Sequence, residues 1–137
     1  MKLAVAIDGS DNAFRAAERA IGLARLIPSA ELHILYVVDF DHATRDHLLA
    51  QNDEEVIYKR EKHVRPVQGL AEREAVPAHV HWLKGKPSDE IIRFTNEESI
   101  DQLFIGSRGL NTLQEMVFGS VSHQVMKKAR CPITIVK

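Results

Sequence analysis

The stretch Leu103-Phe104-Ile105-Gly106-Ser107-Arg108-Gly109, followed after nine residues by Gly119-Ser120-Val121-Ser122, reads as a strand, a glycine-punctuated loop and the start of a helix. Leu103 to Ile105 is a short apolar run stopped by Gly106. The helix is expected from about Ser120 to Ala129. In an open parallel sheet, ligands bind beyond the carboxyl ends of the strands. The start of the next helix offers free backbone N–H groups and the positive end of its dipole, which together suit a phosphate. Glycines let the backbone approach such an anion without a Cβ in the way. Ser120 and Ser122 can add hydroxyl donors. On spacing alone, a second reading stays open, in which the glycines only build turns. The stretch is not a Walker A loop, because no Gly-Lys-Ser/Thr follows, and its spacing is too long for the dinucleotide fingerprint.

Outward from this stretch the chain alternates strands and helices. Leu3 to Ile7 is a strand closed by the turn Asp8-Gly9-Ser10. Ser10 or Asp11 can cap the helix that follows, where Phe14, Ala17, Ile21 and Ala24 recur at helical spacing and Pro28 ends the run. Leu32 to Val38 reads as a second strand closed by Asp39, and Ala78 to Leu83 as a third. Between them Leu49, Val56, His63 and Leu70 are spaced by sevens, and Pro66 should kink or split the helix they suggest. Gly85-Lys86-Pro87 turns the chain into a helix with Asp89 and Glu90 in its first turn and Ile91 and Ile92 on its buried side. Pro132 to Val136 is a final strand. Repeated β-α order implies a mostly parallel sheet with helices on both faces.

At 137 residues the chain has the size of one domain, expected to span 1–137 without a linker or internal repeat. A formal net charge of −1 and no basic cluster argue against nucleic acid as a partner. No apolar run approaches the length of a membrane span, and the N-terminal run is too short for a signal peptide. The single cysteine, Cys131, leaves no internal disulfide and fits a reducing compartment, so a cytoplasmic location is expected.

Gly-x-x-Gly, nine residues, Gly-Ser is similar to the ATP-binding motif of the universal stress protein family. Four further segments resemble that family in order: Val5-Ala6-Ile7-Asp8-Gly9-Ser10, Tyr36-Val37-Val38-Asp39, Gly85-Lys86-Pro87 with Ile91, and Cys131-Pro132-Ile133-Thr134-Ile135-Val136. The resemblance implies an α/β, Rossmann-like fold, with an open five-stranded parallel sheet in the order 3-2-1-4-5. It implies an ATP-binding regulatory module with at most slow hydrolysis, the magnesium or manganese arriving with the phosphates. Asp8 and Val37 would line the adenosine pocket, Val37 beside the adenine. Gly106, Arg108, Gly109, Gly119, Ser120, Val121 and Ser122 would form the phosphate side. Asp8 can instead orient its own turn through Ser10, and Arg108 can be a solvated loop residue. The resemblance also implies a homodimer through the C-terminal strand, which would lie at a sheet edge and is rich in β-branched residues. The alternative is a nucleotide-free, dimeric interaction protein of the same family. A true hydrolase needs a placed base; Glu115 lies in the loop, with nothing to fix its direction.

Seven histidines invite a metal reading, but neither His79 with His81 nor His42 with His47 comes with a cysteine or carboxylate at a recognised ligand spacing. His123 reads as a surface residue, Trp82 as packing and Cys131 as a small buried side chain. The loops of ATP pyrophosphatases and the histidine motifs of nucleotidyl transferases are missing from the sequence.

Overall fold

The computed structural model describes residues 1–38, 53–108 and 119–137. Five strands form one parallel sheet: β1 (Lys2–Ile7), β2 (Glu31–Val38), β3 (Ala78–Lys84), β4 (Gln102–Gly106) and β5 (Ile133–Val136). Their order is β3-β2-β1-β4-β5, and every adjacent pair is parallel. The chain therefore leaves β1 toward one side of the sheet and reaches β4 on the other. That reversal opens a crevice at the carboxyl ends of β1 and β4.

Strand alternation sorts the core onto two faces. Leu3, Val5, Ile7, Leu32, Ile34, Tyr36 and Phe104 point to one face, against α1 (Asp11–Ala24) and α3 (Arg65–Arg73). Ala4, Ala6, Leu35, Leu103 and Ile105 point to the other, against α4 (Pro87–Glu97) and α5 (Ser120–Lys128). α1 is tightly applied because Ala13, Ala16, Ala17, Ala20 and Ala24 give it a nearly smooth buried stripe, with Ile21 filling the remaining space. Phe14, read from spacing as part of that stripe, is 37% exposed, so the stripe is centred one position away from the expected one. α1 also ends at Ala24, before Pro28 is reached. On the opposite face, Ile91 and Phe94 of α4 and Val125 of α5 close the core, while Ile92 is half-buried. Truncating a fully buried residue such as Ile34 to Ala should cost about 2–5 kcal/mol.

The helix containing Pro66 is split, as its sequence implies. α2 (Asp53–Lys59) passes into a π-helical segment, Arg60–Val64, before α3 resumes at Arg65. The Arg65 N–H reaches back to the Arg60 carbonyl, five residues away. Proline has no N–H to give, and its ring crowds the carbonyl four residues earlier, so the wider turn just ahead of Pro66 relieves both problems. The extra residue breaks the spacing by sevens. Leu49 lies outside the described residues, and His63 and Leu70 are only half-buried, whereas Val64, Val67 and Ala71 make the core contact. Val64 is fully buried, which stabilises the docking of this helix by about 1.5–3 kcal/mol.

Candidate functional site

The crevice is built around Ser107, the residue just past β4. Its N–H donates to the Val136 carbonyl at 2.7 Å, continuing the pairing of β4 with β5. Its carbonyl accepts the Gly119 N–H at 2.7 Å. Asn12 on α1 donates from Nδ2 to its hydroxyl at 3.1 Å. Ser107 is 4% exposed, so these bonds are shielded from competing water. The described ends of the glycine motif, Gly106-Ser107-Arg108 and Gly119-Ser120, are thereby closed onto each other. The start of α5 is fixed at the exit of β4.

Ser122 reinforces the closure. It is buried, and its hydroxyl lies 3.1 Å from the Ser107 carbonyl and 3.0 Å from the Gly119 carbonyl, to which it donates. Its one proton is thus directed into the protein. Gly119 is the N-cap of α5 and has no side chain to cap it, and no acidic residue occupies the first turn. The first intrahelical bond runs from the His123 N–H to the Gly119 carbonyl at 3.0 Å. The N–H groups of Ser120, Val121 and Ser122 precede it and have no carbonyl within the helix to bond. Ser120 is exposed and Val121 half-buried at this end.

Gly106 has a packing reason of its own. A Cβ there would sit 2.9 Å from the Asn12 Cβ and 3.0 Å from the Ala13 N, so only glycine lets α1 come down on the end of β4. Arg108 is exposed beyond Ser107. Gly109, Glu115, Asp39, His42 and His47 lie outside the described residues.

On the other side of the crevice, Asp8 is half-buried at the end of β1, and its Oδ1 accepts the Ser10 N–H at 2.9 Å. Ser10 in turn caps α1, accepting the Ala13 N–H at 3.2 Å. Asp8 therefore does orient its own turn. Val37 is half-buried near the end of β2, the strand paired with β1. Asp8 and Val37 thus stand at neighbouring strand ends, and Ser107, Gly119 and Ser122 gather across the reversal from them.

Two residues at this end were not read as functional in the sequence. Ser107 occupies a variable place within Gly-x-x-Gly. His63 rests against Gly9, with Nδ1 3.0 Å from the Tyr36 hydroxyl. Burial and then the neighbouring Lys62 push the His63 imidazole pKa down, while Asp8 pulls it up. Burial, and to a lesser degree Asp8, pushes the Tyr36 hydroxyl up to about 12, so it remains a neutral partner. Tyr36 packs on Trp82 at 4.9 Å between ring centroids, which gives Trp82 the packing role its sequence suggests.

A second polar cluster lies on the α4 face of β2 and β3, near their amino ends. His33 bridges His81, at 2.9 Å between Nδ1 and Nε2, and Glu31, at 3.1 Å from Nε2 to Oε1. His79 lies 3.9 Å from the other Glu31 oxygen. Among the described residues, no group of three or more His, Cys, Asp or Glu side chains is arranged to hold a metal ion. No helix of the described residues is long and apolar enough to cross a membrane.

Comparison with known proteins covers the full length. The sequence profile of the universal stress protein family matches residues 1–137. The chain is 34% identical over 146 residues to the universal stress protein YxiE of Bacillus subtilis, spanning 99% of this chain and 98% of that protein. Among solved structures it is similar to the universal stress protein UspA of Lactobacillus plantarum, with a TM-score of 0.87, 26% identity, and coverage of 100% of this chain and 97% of the other. It is also similar to a universal stress protein of Archaeoglobus fulgidus solved in complex with dAMP, with a TM-score of 0.75, 25% identity and coverage of 100% and 98%.

Proposed function

This chain belongs to the universal stress protein family, and from that premise we propose that it is a regulatory module that binds ATP in the crevice between β1 and β4. The observation that carries this reading is the 2.7 Å bond from the Gly119 N–H to the Ser107 carbonyl. It holds a helix N-terminus whose N-cap is a glycine and whose first turn carries no acid at the point where the sheet reverses. Such an end attracts an anion through its unsatisfied N–H groups and its dipole. The phosphates would lie against Ser120 and the backbone of Val121 and Ser122, with Gly109 and Arg108 on the loop side. Magnesium or manganese would enter with the phosphates. The adenosine would extend toward Asp8 and Val37. The dAMP complex of the Archaeoglobus fulgidus relative supports an adenine nucleotide as the ligand class.

Turnover in such a site is slow, because backbone donors stabilise a bound phosphate without activating water. Calorimetric titration with ATP and magnesium tests the reading, with saturable, one-to-one binding expected. A folded protein that takes up no nucleotide would replace it with the nucleotide-free interaction protein.

The same reading includes a homodimer through β5. Among the described residues this strand pairs with β4 alone, and it leaves Ile133, Thr134, Ile135 and Val136 all partly exposed. An uncovered, β-branched edge recruits a second chain. Light scattering over a concentration series checks it: a dimer that Ile135→Pro converts to a folded monomer is expected, and a monomer throughout would refute it.

A further inference from the structure

Gly9 and His63 occupy one volume between them. Gly9 has φ +89°, and a Cβ on it would come within 2.4 Å of His63 Cδ2 and 2.5 Å of Nε2. The imidazole therefore lies directly against the glycine, filling the place of its missing side chain. The other edge of the ring is tied down, since Nδ1 is 3.0 Å from the hydroxyl of Tyr36, itself 6% exposed and braced by Trp82. The π-helical segment explains why a histidine can reach so far. Its extra residue brings His63 round to the sheet while Val64 still enters the core. The charged groups bearing on the ring are Asp8 from the β1 turn and Lys59 and Lys62 from its own helix. The turn Asp8-Gly9 is thus backed by a ring with two fixed contacts.

We propose that His63 is a positioning residue for the nucleoside end of the site: packed on Gly9 and anchored by Tyr36, it sets the direction in which Asp8 presents its carboxylate to the sugar hydroxyls of the ligand. The proposal rests on the nucleotide-binding reading above and adds to it a residue that touches no phosphate. A carboxylate accepts hydrogen bonds from hydroxyls best near its lone-pair directions, so a rotation of the turn weakens the contact without unfolding anything.

The test is calorimetry of wild type, His63→Phe, Tyr36→Phe and His63→Asn with adenosine and with ATP. His63→Phe keeps a ring on Gly9 but loses the anchor, and Tyr36→Phe removes the same bond from the other side. Each should weaken adenosine and ATP by the same factor, about fivefold, as expected for one net hydrogen bond. His63→Asn, whose amide can meet the Tyr36 hydroxyl, should recover part of the loss. Wild-type affinity in both Phe variants overturns the proposal and leaves nucleotide binding intact. A loss much larger for ATP than for adenosine also overturns it, because the defect would then lie at the phosphates. A wild type that binds neither ligand overturns the nucleotide reading itself, and this proposal with it.

Discussion

Two helices begin at the crevice, and their N-termini are treated in opposite ways. α1 is satisfied by its own sequence: Ser10 caps it, Asp8 holds the Ser10 N–H, and Asp11 lies in its first turn. α5 starts at Gly119, an N-cap without a side chain, has no acid in its first turn, and carries its basic residues, Lys127 and Lys128, at the far end. Each device in α1 is worth about 0.5–2 kcal/mol for a cap and 0.3–1 kcal/mol for a well-placed charge. α5 forgoes both. The difference divides the labour at the site. One helix end is satisfied by residues that also stabilise the fold, while the other has neither an N-cap side chain nor an acid in its first turn.

The comparison breaks most severely at Gly119. Gly119→Val places a branched side chain at the buried start of α5, beside the bond to Ser107. ATP affinity should fall at least about a hundredfold, ~2.7 kcal/mol, while the circular dichroism of the sheet and helices is retained. Calorimetry and the far-ultraviolet spectrum together check this. Ser120→Asp sharpens the contrast by giving α5 the acid that α1 already has. It should raise the melting temperature slightly and weaken ATP about tenfold, the opposite signs distinguishing a filled helix end from a damaged one. Ser10→Ala is the mirror experiment. Loss of the cap should cost about 1 kcal/mol, roughly 3–5 °C in melting temperature, with nucleotide affinity changed less than twofold.

The smallest effect concerns pH. Burial, then Lys62, lowers the His63 pKa below its unfolded value of about 6.5. The unfolded chain then binds the proton more readily than the folded one. Stability on the α1 side is therefore full above about pH 6.5 and declines as pH falls below it, until the folded ring protonates as well. Urea midpoints at pH 7.5 and pH 5.5 should drop more for wild type than for His63→Gln. Equal drops would show that His63 is not the group responsible.

The end of β4 and the start of α5 were legible in the sequence because their signals are local: an apolar run, glycines and the following serines. The same is true of Ser10 at the start of α1 and of Pro87 at the start of α4. The sheet order came from the resemblance, and the strand pairing agrees with it. Asp8 and Val37 stand at neighbouring strand ends, and Gly119 is bonded to Ser107 just past the end of β4. What the sequence hid was tertiary. Ser107 looks like filler in Gly-x-x-Gly, since its partners Asn12 and Gly119 meet it only in the folded sheet. His63 was placed on a helix face by counting sevens, and the π turn ahead of Pro66 moved it. Ser122 was read as a phosphate donor through its hydroxyl, yet that hydroxyl donates to backbone carbonyls, which leaves its N–H as the group aimed outward at the helix end. The polar link from His33 to His81 joins residues 48 apart, beyond the reach of any spacing rule.

The claim that α5, and not α1, holds the phosphates is tested most directly by backbone amide NMR during an ATP titration. The N–H resonances of Ser120, Val121 and Ser122 should move downfield most, as donors newly engaged by an anion, while those of Asp11, Asn12 and Ala13 stay nearly still. Saturable binding with the large shifts at Asp11 to Ala13 and none at Ser120 to Ser122 would contradict the account.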